Sequence, residues 1–341
     1  PESVDLQDLL ARMVASSNRS VAMEVSSHAL VQQRVRGIEW DAAVFTNLTQ
    51  DHLDYHGTMD AYFDAKSLLF ETMFAQKIKR GKAIVNQDDR YGIRLLERFP
   101  KAVKPVTYGL GVKSDFRAID PRSDVHGTQY QLDAKGRQYL VRLPLIGRFN
   151  VYNSLAALAA VSSMGLELRA AIKAIADAPQ VPGRLERVPA RRNFSVYVDY
   201  AHTDDALTNV LSTLRELGPR RLLVVFGCGG DRDRAKRPLM ARAAGLLADY
   251  TIVTTDNPRS EDPERIIADC VPGLHNKAFE TIVDRRDAIH RAIALAEQGD
   301  IVLIAGKGHE TYQEVKGVRT PFDDVSMARN AIQAKPVELE E

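Results

Sequence analysis

The stretch that decides the fold is "RLLVVFGCGGDRDRAKRPLMARAAGLLADYTIVTTD", residues 221–256. "RLLVVFG" and "YTIVTTD" are short β-branched runs bounded by glycine or polar residues, as expected of strands buried on both faces. "RPLMARAAGLLA" between them reads as a crossover helix. Strand, helix and strand in so short a span predict the βαβ unit of a parallel sheet.

The same rhythm runs through most of the chain. "SVAMEVSS", "AAVFTNL", "KAIVNQ", "AFETIV" and "DIVLIAG" read as further buried parallel strands, and "DALTNVLSTLREL", "DPERIIADCV" and "RRDAIHRAIALA" as crossover helices. Residues 115 to 143 alternate polar and apolar positions around Gly127 and Gly136, which predicts antiparallel hairpins, and the helix "NVYNSLAALAAVSSM" follows. "ADAPQVPGRLERVPARRN" gathers Pro, Gly and Arg between two α/β stretches and places a domain boundary near residue 180.

The 341 residues are 45% hydrophobic and 27% charged, enough for one or two domains with full cores. A formal charge of +1 gives no general field toward nucleic acid or an anionic membrane, although "RDRAKR" is a local anion-site candidate. No apolar run has the length of a membrane span. Two cysteines, Cys228 and Cys270, cannot form a disulfide framework and lack metal-type spacing, which favours a reducing compartment.

Polar clusters fall just after the predicted strands: Ser26 and His28, Asn47 to His56, Asp199 to His202, Cys228 to Asp233, Asp256 to Arg259, and Gly306 to Glu310. Ligands of open α/β sheets bind beyond the carboxyl ends of strands, so the pattern points to an active site there. In "TNLTQDHLDYHG", Asp51, His52, Asp54 and His56 suit either a metal or a turn whose Asp residues cap the next helix. Glu24 in "AMEVSS" either pairs with a cation or metal, or faces water at a sheet edge.

In "MDAYFDAKSLLFETM", residues 59–73, Met59, Tyr62, Phe63, Leu69, Phe70 and Met73 form one apolar helical stripe with Lys66 in its middle. Its stem lies on apolar surface with the ammonium reaching water, or burial keeps the amine neutral enough to add carbon dioxide. The resulting carbamate is an oxygen anion that suits Mg2+. "FGCGGDRDRAKRP" matches neither the P-loop nor the dinucleotide pattern, so a tight turn is the ordinary reading. In "TTDNPRSEDP", Arg259 follows Pro258 and presents a planar guanidinium suited to a carboxylate; Arg232 suits a carboxylate or phosphate. "AGKGHETY" offers Gly306 and Gly308 for close backbone approach and Glu310 as partner for an amine.

In order along the chain, "MEVSSH", "FTNLTQDHLDYHG", "AKSLLF", "GRFNVYN", "PGRLE", "VDYAHT", "FGCGGDRDRAKRP", "DNPR" and "AGKGHE" resemble the Mur ligases of peptidoglycan synthesis, most closely the members that add diaminopimelate. The resemblance implies a fold of class α/β: a central ATPase domain over residues 1–180, truncated at its N-terminus, with a mostly parallel sheet, helices and antiparallel hairpins. A Rossmann-like, amino-acid-binding C-terminal domain over residues 181–341 follows. It implies an ADP-forming amide ligase that uses ATP to convert the D-glutamate carboxylate of UDP-N-acetylmuramoyl-L-alanyl-D-glutamate into an acyl phosphate, which the amine of meso-2,6-diaminopimelate attacks.

Position by position, the resemblance makes Glu24 and His52 magnesium ligands and Lys66 a carboxylated lysine (N6-carboxylysine) holding a second Mg2+. Ser26, Gln32 and Arg34 match contacts to the muramoyl dipeptide. Asn150 and Asp199 match adenine and ribose contacts, with Tyr200 and His202 beside them, and Arg184 faces the ATP phosphates. Lys66, Arg184 and His202 are the catalytic candidates. Arg232, Asp256, Asn257, Pro258, Arg259, Gly306 and Glu310 match the amino-acid pocket. Lysine-adding relatives lack the arginine at the position of Arg259, which favours diaminopimelate over lysine.

The family's N-terminal uridine domain and its phosphate-binding loop have no counterpart in these residues. The expectation is a fragment, inactive alone, from a cytoplasmic monomer that neither binds nucleic acid nor enters a membrane. The alternatives are a lysine-adding or folylpolyglutamate-type ligase and a non-catalytic amino-acid-binding module.

Overall fold

The computed structural model describes residues 2–49, 52–190, 192–274 and 278–336. The chain divides into two compact units, one of Pro1–Pro121, Gln129–Arg142 and Phe149–Ala176, the other of Arg122–Thr128, Leu143–Arg148 and Asp177–Glu341.

The first part of the chain runs α1 (Ser3–Ala15), α2 (Ser27–Val31), β1 (Ala42–Phe45), α3 (Leu53–His56), α4 (Met59–Ala75), β2 (Lys82–Asn86), α5 (Arg90–Arg98), β3 (Val106–Gly109), β4 (Phe116–Asp124), β5 (Gly127–Ala134), β6 (Arg137–Leu143), α6 (Arg148–Ser163) and α7 (Leu168–Ala176). Its sheet has the order β1-β2-β3-β4-β5-β6. The first four strands pair in parallel. β4, β5 and β6 are neighbours joined by two-residue turns, which makes them antiparallel. Lys135 and Gly136 carry φ of 53° and 83°, the doubly positive geometry of the tight hairpin turn predicted there.

Two strand readings are corrected. "SVAMEVSS" is not a strand: residues 18–26 carry no ladder, β1 is the edge of its sheet, and Val21 and Glu24 are exposed. A β-branched run makes a strand only where a neighbouring ladder accepts its backbone. "AFETIV" does form a parallel strand, β11 (Ala278–Thr281), but at an edge and largely exposed rather than buried.

The rest of the chain runs β7 (Glu186–Val188), β8 (Ser195–Asp199), α8 (Asp204–Glu216), β9 (Leu222–Cys228), α9 (Lys236–Leu247), β10 (Tyr250–Thr255), α10 (Pro263–Cys270), β11, α11 (Arg285–Leu295), β12 (Ile301–Ala305), β13 (Tyr312–Val315), β14 (Val318–Pro321) and α12 (Asp324–Ala334). The sheet order is β11-β10-β9-β12-β8-β7, parallel except for β7. The period of two in each strand divides the core. Leu222, Val224 and Phe226 join Leu303 and Ala305 under α8, α9 and α10, whereas Leu223 and Val225 join Val302 and Ile304 under α11 and α12. Burying each such side chain contributes about 1.5–3 kcal/mol.

Helix starts are written into the sequence. Thr203, Asp262, Asp284 and Asp323 cap α8, α10, α11 and α12, each side chain accepting a backbone N–H of the first turn, and Pro263 opens α10. A buried ion pair ties these helices to the sheet. Arg285 and Asp324 have fully buried side chains and bond twice, Nε to Oδ1 at 2.8 Å and Nη2 to Oδ2 at 2.7 Å. The same guanidinium donates to the carbonyls of Thr255 at 3.2 Å and Ala305 at 3.0 Å, the last residues of β10 and β12. Removing one partner leaves the other charge buried without compensation.

Asp324→Ala is therefore expected to lower stability by about 3–5 kcal/mol. Arg285→Met combined with Asp324→Leu should cost much less, because no charge is then left unpaired. Amide hydrogen exchange of β9 and β12 reads both; equal losses in the two variants would contradict the pairing.

Candidate active site

In the second unit, helices α8, α9 and α10 follow β8, β9 and β10 onto one face of the sheet, while α12, after β12, packs on the other. The strand ends beside β12 are therefore a topological switch point, where open α/β sheets form a crevice. Five segments lie there: residues 183–185, Asp199 to His202, Gly227 to Arg232, Asp256 to Arg259, and Gly306 to Glu310.

The glycines after β9 have a purpose other than phosphate binding. A Cβ on Gly229 would stand 2.9 Å from Arg259 Nη1, and one on Gly230 only 1.9 Å from the carbonyl of Pro258. Gly230 N donates to Asn257 O at 2.9 Å, and Arg259 Nη1 donates to Gly230 O at 2.7 Å. These glycines let the "DNPR" loop lie against the exit of β9. Arg259 itself has φ 50°, an uncommon conformation for a side-chain-bearing residue, pinned by the hairpin that follows: its N–H bonds Glu314 O at 3.0 Å and its carbonyl takes Lys316 N at 2.6 Å. Among the described residues, Nη1 makes the guanidinium's hydrogen bond. The Nε–Nη2 edge is left with the geometry to take a carboxylate by two parallel bonds.

Asp256 and Asn257 are buried. A Cβ on Gly306, which has φ 118°, would meet Asp256 Oδ2 at 2.7 Å, so glycine alone brings that backbone against the carboxylate. Asn257 Nδ2 donates to Glu310 Oε2 at 2.8 Å, and the half-buried Glu310 also takes Lys307 Nζ at 3.2 Å. Lys307 is the residue the sequence reading passed over. It lies fully buried between two glycines, at a strand exit where a lysine in so apolar a setting is itself the signal. Arg232 is exposed, with Nη1 donating to Asp231 O at 3.3 Å; a Cβ on Gly229, 2.9 Å from Arg259 Nη1, would stand 3.8 Å from its Cγ.

At the end of β8, Asp199 is buried and both its oxygens serve backbone, Oδ2 taking Leu185 N at 2.7 Å and Oδ1 taking Ala201 N at 2.8 Å. Burial pushes its carboxyl above the usual carboxylate range, against these bonds and the nearby Arg184 and His202. Arg184 is exposed and its guanidinium lies 5.2 Å from the centre of the Tyr200 ring. His202 donates from Nδ1 to Tyr200 O at 2.8 Å, and its ring stands 4.6 Å from that of Tyr200. Gly308, φ 54°, packs so tightly on Tyr200 that a Cβ would sit 2.7 Å from the tyrosine Cβ. Arg184, Tyr200 and His202 thus form one group beside the "GKGHE" loop.

The two cysteines are free thiols in the core, with Sγ atoms 3.7 Å apart. The basic cluster "RDRAKR" is largely neutralised internally: the fully buried Arg237 pairs with Glu261 at 2.7 Å and Asp269 at 2.8 Å, and Arg234 with Asp269 at 3.0 Å. Arg237 holds the Glu261 carboxyl down to about 2.

In the first unit, α4 buries Tyr62, Phe63, Phe70 and Met73. Lys66 is half-buried, its ammonium 5.1 Å from the centre of the Tyr62 ring. Around that ring stand His56, stacked at 5.0 Å, and His52 at 5.9 Å; His28 lies 5.0 Å from His52 and 5.4 Å from His56. His56 Nε2 and Ser27 Oγ are 2.9 Å apart. His52 adopts φ 54° at the start of α3. Thr58, not an aspartate, caps α4 through Ala61 N. Asp51 and the side chain of Asp54 lie outside the described residues.

Glu24 is exposed. Ser26 caps α2, its Oγ accepting Ala29 N at 3.2 Å, and Gln32 Nε2 reaches the Tyr55 hydroxyl at 3.5 Å. Arg34 pairs with Glu2 at 3.5 Å, and its buried Nε has no hydrogen bond among the described residues. Asn150 is buried in the first turn of α6, its Oδ1 accepting Asn153 Nδ2 at 3.3 Å. Among the described residues, no three His, Cys, Asp or Glu side chains are grouped closely enough to hold a metal. No helix among them is long and apolar enough to cross a membrane.

Residues 1–161 match the Mur ligase middle domain and residues 183–308 the Mur ligase glutamate ligase domain. The chain is 48% identical over 339 residues to a UDP-N-acetylmuramoyl-L-alanyl-D-glutamate–2,6-diaminopimelate ligase of Geobacillus kaustophilus, covering 98% of this chain and 69% of that one. It is 46% identical to the protein of the same name from Solibacter usitatus, covering 98% of this chain and 67% of the relative. A solved structure bearing that name superposes with a TM-score of 0.71 at 41% identity, covering 98% of this chain and 68% of its own. A folylpolyglutamate synthase of Mycobacterium tuberculosis shares the fold at a TM-score of 0.62 and 23% identity, over 87% of this chain and 65% of its own. The chain thus spans about two thirds of the length of the relatives it matches. Matched in chain order by two domains of one family, and 46–48% identical to curated members along nearly all of its residues, it belongs to the Mur ligase family.

Proposed function

We propose that this chain carries the central and amino-acid-binding parts of an ATP-dependent ligase that joins meso-2,6-diaminopimelate to the D-glutamate of UDP-N-acetylmuramoyl-L-alanyl-D-glutamate. The observation that carries the reading is the juxtaposition, at the exits of β10 and β12, of the loop of Asp256, Asn257 and Arg259 with Gly306 and Glu310. It offers a guanidinium for a carboxylate and a carboxylate for an ammonium, the complement of a diamino diacid.

A carboxylate is a poor acylating agent. Transfer of the γ-phosphate of ATP to the D-glutamate carboxylate makes an acyl phosphate and ADP; attack by the amine of diaminopimelate then forms the amide bond and releases phosphate and a proton. Little covalent work falls to the protein, which positions the reactants and balances their charge. In this reading Asp199 and Asn150 orient the nucleoside, Arg184 and His202 meet the phosphates, and Ser26, Gln32 and Arg34 hold the muramoyl dipeptide. Arg259 and Glu310 fix the two ends of the amino acid, and Arg232 swings in toward its carboxylate. Lysine lacks one carboxylate, so it would leave the guanidinium of Arg259 unpaired.

Mg2+ is usually held by one or two carboxylates together with substrate phosphates, and it prefers oxygen donors. Glu24, His52 and Lys66 as a plain amine offer one carboxylate among them, which serves such an ion poorly. Carboxylation of Lys66 supplies the missing oxygens, and the half-buried position of its amine beside aromatic rings, away from a fully hydrated setting, supports it. In this reading Glu24 and His52 would hold one Mg2+ and Lys66, as N6-carboxylysine, a second, and the ions would neutralise phosphate charge when bound.

Two measurements test this reading. Isothermal titration should show meso-diaminopimelate binding far more tightly than L-lysine, and Arg259→Ala should cost diaminopimelate on the order of a hundredfold while barely changing lysine. Equal binding of the two amino acids by the unaltered protein would sink it. In 13C-bicarbonate buffer, NMR should show a carbamate resonance that is lost in Lys66→Ala; a spectrum unchanged by that substitution would remove the carboxylated lysine.

A further inference from the structure

Lys307 is fully buried, yet none of the roles assigned above uses it. Its ammonium donates to Asn257 Oδ1 at 3.1 Å and to Glu310 Oε2 at 3.2 Å, and lies 5.6 Å from the centre of the Tyr312 ring. Dehydrating an ammonium is expensive, and a lysine tolerates it only where charge and hydrogen bonds compensate. Apolar packing alone would be served as well by methionine.

The bonds around it are closed on one side and open on the other. Asn257 Oδ1 takes two donors, Lys307 Nζ and Glu314 N at 2.9 Å, which fixes the amide so that Nδ2 points to Glu310. Glu310 Oε2 then receives both Asn257 Nδ2 at 2.8 Å and Lys307 Nζ. Among the described residues, every side-chain hydrogen bond of Glu310 falls on Oε2, and Oε1 takes none. The backbone closes the arrangement: Glu310 N bonds Lys307 O at 2.9 Å, and Gly308 packs on Tyr200.

We infer that Lys307 is a positioning residue of the amino-acid pocket: it locks the Asn257 amide and one oxygen of Glu310 so that the other oxygen is presented to the ammonium of the incoming amino acid. A carboxylate free to rotate would spend part of its interaction with the ligand on being ordered; one held by two donors has that freedom removed in advance. The inference rests on the proposed amino-acid pocket and deepens it, since Lys307 touches the ligand only through Glu310 and Asn257.

The test is titration of the full chain with meso-diaminopimelate, and separately with ATP, for the unaltered protein, Lys307→Met, Glu310→Gln and the double variant. Lys307→Met is expected to weaken diaminopimelate binding about tenfold while leaving ATP binding unchanged, and to add little in the Glu310→Gln background, because residues acting through one contact are not additive. Lys307→Gln, which keeps a donor of similar reach without the charge, should fall between the two and serves where the methionine variant does not fold. An unchanged affinity in Lys307→Met, a loss that adds in full to that of Glu310→Gln, or a parallel loss of ATP binding would each overturn the inference. If the unaltered protein binds no diaminopimelate, it is the proposed function that fails, and the two failures are thereby told apart.

Discussion

The strand-exit crevice of the second unit depends on one buried ion pair. Arg285 and Asp324 bond to each other out of water, and the same guanidinium takes the last carbonyls of β10 and β12. Strand-end carbonyls facing a polar crevice lack the ladder partners that the rest of the sheet has, and unpaired backbone groups are costly. Arg285 satisfies two of them at once and spaces the strands from which the "DNPR" and "GKGHE" loops depart. The departure of these loops is thus set by a charge buried beneath them. A buried pair is weak evidence of net stability, but it resists any arrangement that separates its members, which is a geometric constraint.

From that anchor the loops hold one another by backbone contact. Gly229 and Gly230 admit the "DNPR" turn, Gly306 admits the Asp256 carboxylate, and Gly308 admits Tyr200. At each place a single Cβ would lie closer than atoms pack, so the loops touch only because these residues have none. The hairpin of β13 and β14 then fixes Arg259 in its positive-φ conformation through Glu314 and Lys316. Such a conformation persists where the surroundings over-determine it, as at ligand sites.

Much of this was legible beforehand. The strands β8, β9, β10 and β12 are short continuous apolar runs, and a run buried on both faces needs no partner's identity to be read as a strand. The hairpin at Lys135 and Gly136 is local chemistry and was equally plain. "SVAMEVSS" misled because a β-branched run states what a buried strand would look like, not whether a neighbour is there to bond it. Lys66 and Lys307 show the same limit from the other side. Both sit in apolar company in the sequence, but α4 leaves the first half-buried beside Tyr62, whereas the second is sealed between Asn257 and Glu310.

By itself, then, the order of residues determined the α/β class, the places where helices begin, and the strand-exit clusters that carry polar chemistry, because each of these follows from neighbours a few positions apart. Only the tertiary structure decided that the glycines after β9 receive the "DNPR" loop, that Arg237 spends its charge on Glu261 and Asp269, and that Lys307 and Asn257 bond the same oxygen of Glu310. Those outcomes join residues tens of positions apart. Burial and pairing are properties of the space between such segments, and no local pattern encodes that space.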